Sequence, residues 1–295
     1  MTVAIDVTLP YYGDVRLMKM AVCSVLEQSY QNWRLIVVDD GYPDPEPARW
    51  FAELDNPRVT YLRNVSNLGA NGNYRKCLEL ITAPLMLMMG ADDVMLPDHL
   101  RTVTEIFGQH PEATVVHTGV LVIDENGTLV KPLGDRMKTF YAPSGHRRSV
   151  LTGERMAVSL LRGNWTYFPS MAWRTDAVRA VRFRSGLDVV QDLALLLDVA
   201  MAGGSLVFDP AVTFHYRRHS QQDSSVRALD GRRFDEERDF FAGEAAAFSA
   251  CGWTRAARVA RWHLSSRLNA LTLLPRAVRA IGWKAVPRLW RHVVG

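Results

Sequence analysis

The sequence predicts an α/β fold: a mostly parallel central sheet flanked by helices, followed by a C-terminal helical extension. Three observations predict it. Strand and helix signals alternate through the first ~100 residues, the order that builds parallel sheets through right-handed crossovers. Pro84 to Met89 is a continuous apolar run bounded by Pro and Gly, as a strand buried on both faces requires. From Val226 onward helical patterns dominate.

The elements follow in order. Val3, Ile5, Val7 and Leu9 alternate with polar residues and end at Pro10, a first strand. Asp14 is placed to cap a helix carrying Leu17, Met20, Ala21, Val25 and Leu26. Leu35 to Val38 is a second strand, closed by Asp39-Asp40-Gly41. Pro43, Pro45 and Pro47 punctuate a loop before a short helix over Arg49–Leu54. Val59–Leu62 is a third strand, Asn64–Gly69 a loop and Asn71–Ile81 a helix. After the fourth strand come Gly90-Ala91-Asp92-Asp93, Pro97 and a new helical pattern.

Thr114–Ile123 and Thr128–Lys131 flank Glu125-Asn126-Gly127, a hairpin signal. Glu154–Arg162 is helical, and Phe168 to Trp173 is a loop entering a strand. Gln191–Ala202 is an apolar helix closed by Gly203-Gly204. Leu206–Phe208 and Thr213–Tyr216 are two short strands. The loops over 131–150 and 220–232 carry no readable pattern. There is no G-x-G-x-x-G and no G-x-x-x-x-G-K-[ST], which excludes a dinucleotide fingerprint and a Walker loop.

Composition narrows the class. The chain has 295 residues, 48% hydrophobic and 22% charged, the profile of an ordinary folded protein. Three widely spaced cysteines, Cys23, Cys77 and Cys251, argue against a disulfide framework and for a reducing cytosol. The N-terminus reads as a strand rather than a signal peptide, and no apolar stretch reaches the ~18 residues of a spanning helix. The expectation is a cytoplasmic protein. The net charge of +4 is uneven: Cys251 to Gly295 holds nine Arg and Lys and no acid, so the remainder nets −5. Such a tail meets anionic lipid at the inner face of a membrane, or it is the solvated face of packed helices. Residues 274–295 mix Arg and Lys with Trp283 and Trp290, the composition of a membrane-surface helix. Nucleic acid is not expected, because no reading module accompanies the basic tail.

Acidic residues stand where the elements converge. Open α/β sheets bind ligands at the carboxyl ends of their strands. Asp40 follows strand two, Asp92 and Asp93 follow strand four, and Asp192 opens the helix after Gly186-Leu187-Asp188. Adjacent carboxylates repel unless a cation joins them, and a hard divalent ion holding a diphosphate suits such a pair. Helix capping is the competing account of each.

Taken in order and spacing, these stretches resemble the family 2 glycosyltransferases. The carrying segments are Leu9 to Asp14, Ser24 to Tyr30, Leu35 to Gly41, Arg63 to Gly69, Gly90 to Asp93, Phe168-Pro169-Ser170, Gln191-Asp192 and Tyr216 to His219 with Gln222 and Ser224. The resemblance spans residues 3 to about 225. It implies a GT-A fold, Rossmann-like, with residues 1–96 as the donor half, 97–225 as the acceptor and catalytic half, and 226–295 as a basic helical region. It implies inverting hexosyl transfer from a nucleoside-diphosphate sugar (UDP, with dTDP or GDP open) to a carbohydrate, lipid-linked or small-molecule acceptor, as in cell-envelope polysaccharide or natural-product glycosylation.

The resemblance also implies roles. Pro10, Tyr12 and Asp14 lie on the donor side, the first two against the base. Asp40 accepts hydrogen bonds from base or ribose, and Asn67, Gly69 and Asn73 shape the nucleoside pocket, Gly69 through close backbone approach. Asp93 is the direct ligand of Mn²⁺ or Mg²⁺, with Asp92 on ribose or a metal-bound water. Arg217 and His219 close over the diphosphate, His219 as a further metal or phosphate ligand. Asp192 is the general base beside a neutral Gln191. Trp165, Tyr167, Ser170 and Gln191 face the acceptor, although buried core is the commoner fate of such aromatics. Two other readings remain: a nucleotide-binding or membrane-docking scaffold without catalysis, and a nucleotidyltransferase, which the lack of Lys or Arg in Pro10–Asp14 disfavours.

Overall fold

The computed structural model describes residues 2–145, 147–218, 232–281 and 286–294. Four parallel strands form the first half of the sheet: β1 (Ile5–Tyr11), β2 (Trp33–Asp39), β3 (Val59–Arg63) and β4 (Leu85–Met88). Helices α1 (Val15–Leu26), α2 (Glu46–Leu54) and α3 (Gly69–Leu80) make the crossovers. The second half adds β5 (Val94–Met95), α4 (His99–Gln109), β6 (Val115–Ile123), α5 (Leu133–Tyr141), β7 (Ser149–Thr152) and α6 (Gly153–Gly163). A 3-10 turn over Phe168–Ser170 leads into β8 (Met171–Arg174), α7 (Thr175–Val181), α8 (Gln191–Met201) and β9 (Ser205–Arg217). The chain closes with α9 (Arg232–Ala250), α10 (Thr254–Trp262), α11 (Leu264–Ile281) and α12 (Val286–Val294).

The strand order is β3-β2-β1-β4-β8-β6-β9-β5, with β7 on β9. The β1, β2, β3 and β4 ladders are parallel, as is β6 with β9, while β8 runs antiparallel between β4 and β6. Alternation along each central strand explains the two-sided burial. Leu35, Val37, Leu85 and Leu87 face one core with α1 and α4, and Ile36, Val38, Met86 and Met88 face the other with α3, α6 and α8. Phe240, Phe241 and Phe248 of α9 and Ala256, Ala257 and Ala260 of α10 join the second core. The C-terminal region is thus built into the layer of α3, α6 and α8. Phe234, Ala270 and Leu289 form a small third core among α9, α11 and α12.

Three expectations are corrected. The two short strands over 206–216 are one strand, β9, whose register against β6 shifts at Gly119 so that Pro210 and Ala211 bulge out. The expected hairpin after β6 is a turn closed by a single bridge, Ile123 to Leu129. The unread stretch 131–150 supplies α5 and β7.

Buried histidines give this body a pH response. His99 Nδ1 meets Thr213 Oγ1 at 2.8 Å, and the Tyr167 N–H donates to His117 Nε2 at 3.0 Å. His292 Nε2 meets Ser266 Oγ at 2.7 Å. Burial pushes His99 and His117 from 6.5 down to about 3, and His292 to about 4. The unfolded chain takes up these protons near 6.5 while the folded one refuses them, so their contribution is intact above that value and is lost as pH falls toward about 4. We predict that the unfolding midpoint falls with acidification across this window. A His99→Asn variant, with one such group removed, should show a shallower fall; an unchanged slope would remove His99 from the account.

Candidate functional site

Strand β2 ends in two carboxylates that hold the loops around them. Asp39, fully buried, accepts the Tyr42 N–H at 2.7 Å and the hydroxyl of Tyr61. Asp40, also buried, accepts through Oδ1 from Asn64 Nδ2 and from the Leu68 N–H, each at 2.8 Å. Asn64 Nδ2 also donates to Asn73 Oδ1 at 3.1 Å, and Asn73 Nδ2 donates to the Val38 carbonyl at 2.9 Å. Lys76 completes the network on Asn64 Oδ1 at 2.6 Å. A buried polar group left unpaired is costly, so this closed network fixes the floor of the donor side. Asn67 accepts from the Gly69 N–H at 2.9 Å. Gly69 is required by its φ of +73° and not by close approach, since a Cβ there meets open space.

The rim is looser. Tyr12 is 57% exposed and stands edge-on to Tyr42, ring centres 5.4 Å apart at 87°. Pro10, half-buried, precedes it on β1, and Asp14 caps α1 through the Leu17 N–H at 3.0 Å.

Strand β4 ends in the tight turn Gly90 to Asp93, closed by the Asp93 N–H on the Gly90 carbonyl at 3.3 Å. A Cβ at Gly90 would overlap Asp93 Oδ2 and lie 3.2 Å from Asp92 Oδ1, so the two carboxylates meet over this residue. Asp93 is buried and accepts the Arg217 N–H at 2.8 Å. Burial, then the charge of Asp92, push its carboxyl well above the usual range. A buried carboxylate facing a second one is the donor set a hard divalent cation relieves, so the pair fits Mn²⁺ or Mg²⁺. Among the described residues no group of three or more His, Cys, Asp or Glu gathers, so the remaining ligands of such an ion have to come from elsewhere.

A further carboxylate stands at the start of α8. Asp192 stands in its first turn, after the half-buried Gln191, and takes the Leu193 N–H on Oδ1 at 2.7 Å. The preceding loop is pinned from two directions. Glu236 Oε1 of α9 accepts the N–H groups of Asp188, Val189 and Val190 at 3.0, 2.7 and 3.0 Å. Asn71 of α3 donates to the Leu187 carbonyl at 2.7 Å and to Asp188 Oδ1 at 2.5 Å. Tyr74, also on α3, has its hydroxyl pushed up by burial, then by Cys77 and by the charges of Asp92, Asp192 and Asp93.

A second polar cluster borders Asp192. Arg218 forks onto Asp135 of α5 at 2.6 and 2.9 Å, and Tyr167 donates to the same carboxylate at 2.8 Å. Lys138 donates to the Thr166 carbonyl at 2.6 Å and lies 4.2 Å from the ring centre of Tyr167. Burial pushes Lys138 down to about 8, and the charge of Asp192 partly restores it. Sequence reading missed Asp135, Lys138, Tyr74 and Glu236. Only Tyr74 and Glu236 sit in stretches with a readable helical pattern.

Three site expectations change. Arg217 is wholly buried, and its guanidinium donates to the carbonyls of Asp92 at 2.7 Å, Asp124 at 2.8 Å and Glu125 at 3.3 Å, which commits it to the backbone. Trp165 is core: it donates to Ser159 Oγ at 3.2 Å and packs on His117 and Phe208. Ser170 is core too, its hydroxyl spent on the Tyr167 carbonyl at 2.9 Å. His219 lies outside the described residues. Tyr167, only 8% exposed, spends its hydroxyl on Asp135.

The family model for glycosyl transferase family 2 matches residues 6–181. The chain belongs to this family. MT1568 of Mycobacterium tuberculosis is 34% identical over 241 residues, covering 78% of this chain and 71% of that one. EpsE of Bacillus subtilis is 30% identical over 125 residues, 42% of this chain; the match spans 45% of EpsE, less than half its length. Among solved structures, S. aureus TarS in complex with UDP-GlcNAc superimposes with a TM-score of 0.72 at 11% identity, covering 98% of this chain and 79% of that one. The mannosyltransferase PcManGT from Pyrobaculum calidifontis, in complex with GDP-Man and Mn²⁺, gives 0.62 at 17%, covering 99% and 79%. At those identities the likeness is one of fold, the GT-A fold of this family.

The acid pair makes a prediction that separates stability from binding. Asp93→Asn keeps an oxygen for the Arg217 N–H and removes a buried charge facing Asp92. The metal-free variant should unfold about 2 °C higher than the parent, and Mn²⁺ should no longer stabilise it in the presence of nucleotide. A lower midpoint would mean that the charge on Asp93 strengthens its bond to Arg217 by more than its burial costs.

Proposed function

We propose that this chain is an inverting glycosyltransferase that moves a sugar from a nucleoside-diphosphate sugar, UDP foremost, to an acceptor hydroxyl. The observation that supports the reading is the turn at the end of β4, where the carboxylates of Asp92 and Asp93 meet over Gly90. Helix α3, through Asn71, holds the loop that leads into Asp192, and the hydroxyl of its Tyr74 feels the charges of all three acids.

In this reading the nucleoside lies along the ends of β1 and β2. Tyr12 presents an aromatic face to the base, and the Asp40–Asn64–Asn73 network holds the loop that shapes the ribose side. Asp93 and Asp92 would hold a divalent cation, which supplies Lewis-acid neutralisation of the departing diphosphate. The TarS and PcManGT complexes, with their UDP-GlcNAc and GDP-Man, support a nucleotide-sugar donor, and the Mn²⁺ of PcManGT supports a metal.

Asp192 takes the proton of the acceptor hydroxyl as its oxygen bonds to the anomeric carbon. The bond from that carbon to the diphosphate oxygen breaks on the opposite face, so one displacement inverts the centre. Lys138 feels the charge of Asp192, which partly restores the ammonium that burial disfavours. The acceptor enters beside α5 and the Tyr167–Asp135–Arg218 cluster.

A thermal-shift panel of UDP, dTDP, GDP and CDP, each with and without Mn²⁺, tests the donor half. One nucleotide should stabilise the protein, and only with metal; no response to any of them would favour the scaffold reading. Asp192→Asn should leave that response intact and lower turnover by about 10²–10⁴-fold. Retained turnover would remove Asp192 from the role of base. Lys138→Gln should lower kcat by about tenfold with donor KM unchanged, since Lys138 touches Thr166 and Tyr167 and none of Asp40, Asp92 and Asp93.

A further inference from the structure

From Cys251 to Gly295 the chain carries nine basic residues and no acidic one. Among the described residues no helix is long and apolar enough to cross a membrane. The helices nevertheless expose apolar side chains in an ordered way. On α11, Ser266 and Ala270 are buried, while Leu264, Leu268 and Leu271 are 62%, 54% and 40% exposed. Their spacing of four and three residues places them in one stripe, on the side opposite Ser266 and Ala270. Trp262, 58% exposed, continues the stripe across the His263 turn. On α12, Leu289 and His292 are buried, and Trp290 and Val294 are 54% and 60% exposed, four residues apart on its outer side. A soluble helix needs one apolar face; α11 has two.

Basic residues accompany the stripe. Ala256, Ala257 and Ala260 bury one side of α10, and Arg255, Arg258 and Arg261 lie exposed on the other, the side that Trp262 shares. Arg279 and Arg291 are exposed on α11 and α12.

We propose that the outer face of α10, α11 and α12 is a docking surface for an anionic phospholipid bilayer. Leu264, Leu268 and Leu271, with Trp262 and Trp290, enter the acyl boundary, and the exposed arginines meet the headgroups. Charge selects this occupant. A second copy would bring an equally basic, acid-free face against this one, and like charges disfavour that pairing. A nucleic acid would use the arginines and leave the leucine stripe in water. The surface lies apart from Asp92, Asp93 and Asp192, so the proposal stands independently of the glycosyl-transfer reading.

Co-sedimentation of the whole chain with vesicles tests it. The protein should pellet with phosphatidylcholine vesicles that contain phosphatidylglycerol and stay in solution with phosphatidylcholine alone, and added salt should weaken the binding. Leu268→Asp with Leu271→Asp should reduce the bound fraction at least tenfold, and so should Arg258→Glu with Arg261→Glu. Both pairs should keep the parent's unfolding midpoint, because all four side chains are exposed. Failure of the parent to bind anionic vesicles would overturn the proposal. So would loss of binding in the arginine pair but not in the leucine pair, which would mean that nothing inserts. A dimer seen by sedimentation velocity, abolished by the leucine pair in a protein that ignores vesicles, would assign the stripe to a second copy instead.

Discussion

The site depends on one buried cation. Arg217 ends β9, and its N–H bonds Asp93 while its guanidinium gathers carbonyls of Asp92, Asp124 and Glu125. One residue therefore ties the carboxyl ends of β4, β6 and β9 into a single corner. Charge-assisted bonds from a buried guanidinium to carbonyls are stronger than neutral ones. The acid turn inherits its shape from the bonds that Nε and Nη1 make. Gly90 makes room for the carboxylates, and Arg217 keeps the turn from relaxing away from their mutual repulsion.

The acceptor side is built differently. No strand positions Asp192; a loop does, and that loop is held by Glu236 from α9 and Asn71 from α3. Three N–H groups converging on one carboxylate oxygen resemble the start of a helix supplied with its missing acceptor. The donor floor relies on a closed amide and carboxylate network, the acid turn on a buried arginine and the acceptor loop on a borrowed carboxylate. Each is a polar solution to a place where the sheet ends and backbone groups lose their ladder partners.

In the parallel half, β1 was legible because apolar and polar residues alternate along it, and β2 and β4 because they are buried on both faces and read as apolar runs leading into acidic turns. Helix α8 was legible for the same reason. Strand β9 was read as two because Asp209-Pro210 looks like a break, whereas the bulge at Pro210 and Ala211 lets the strand continue. Helix α5 was missed although Leu133, Met137 and Phe140 recur at helical spacing, because Pro132 and Gly134 at its start and Pro143 and Gly145 after it read as a loop. Residue type alone also misdirected the reading of side chains. Arg217 and Arg218 are neighbours with opposite fates, one turned inward to carbonyls and one forked onto Asp135, and alternation along a strand end decides which is which. Trp165 and Ser170 stood in a promising stretch, yet their polar atoms are satisfied within the core.

The grip of Glu236 on the loop before α8 bears on how such a chain can be taken apart or recombined. The family match ends at Val181, and the helices beyond β9 invite treatment as an interchangeable cassette. They are not one. Exchanging α9 for a helix that lacks Glu236, Phe240, Phe241 and Phe248 would withdraw the acceptor from three loop amides along with the phenylalanines packed in the core of α8. A chimera joined after β9 inherits a working corner at Arg217 and an unsupported loop ahead of Asp192. The natural seam for recombination lies further on, at the Gly252 turn after α9, where the chain leaves that helix with its carboxylate already in place.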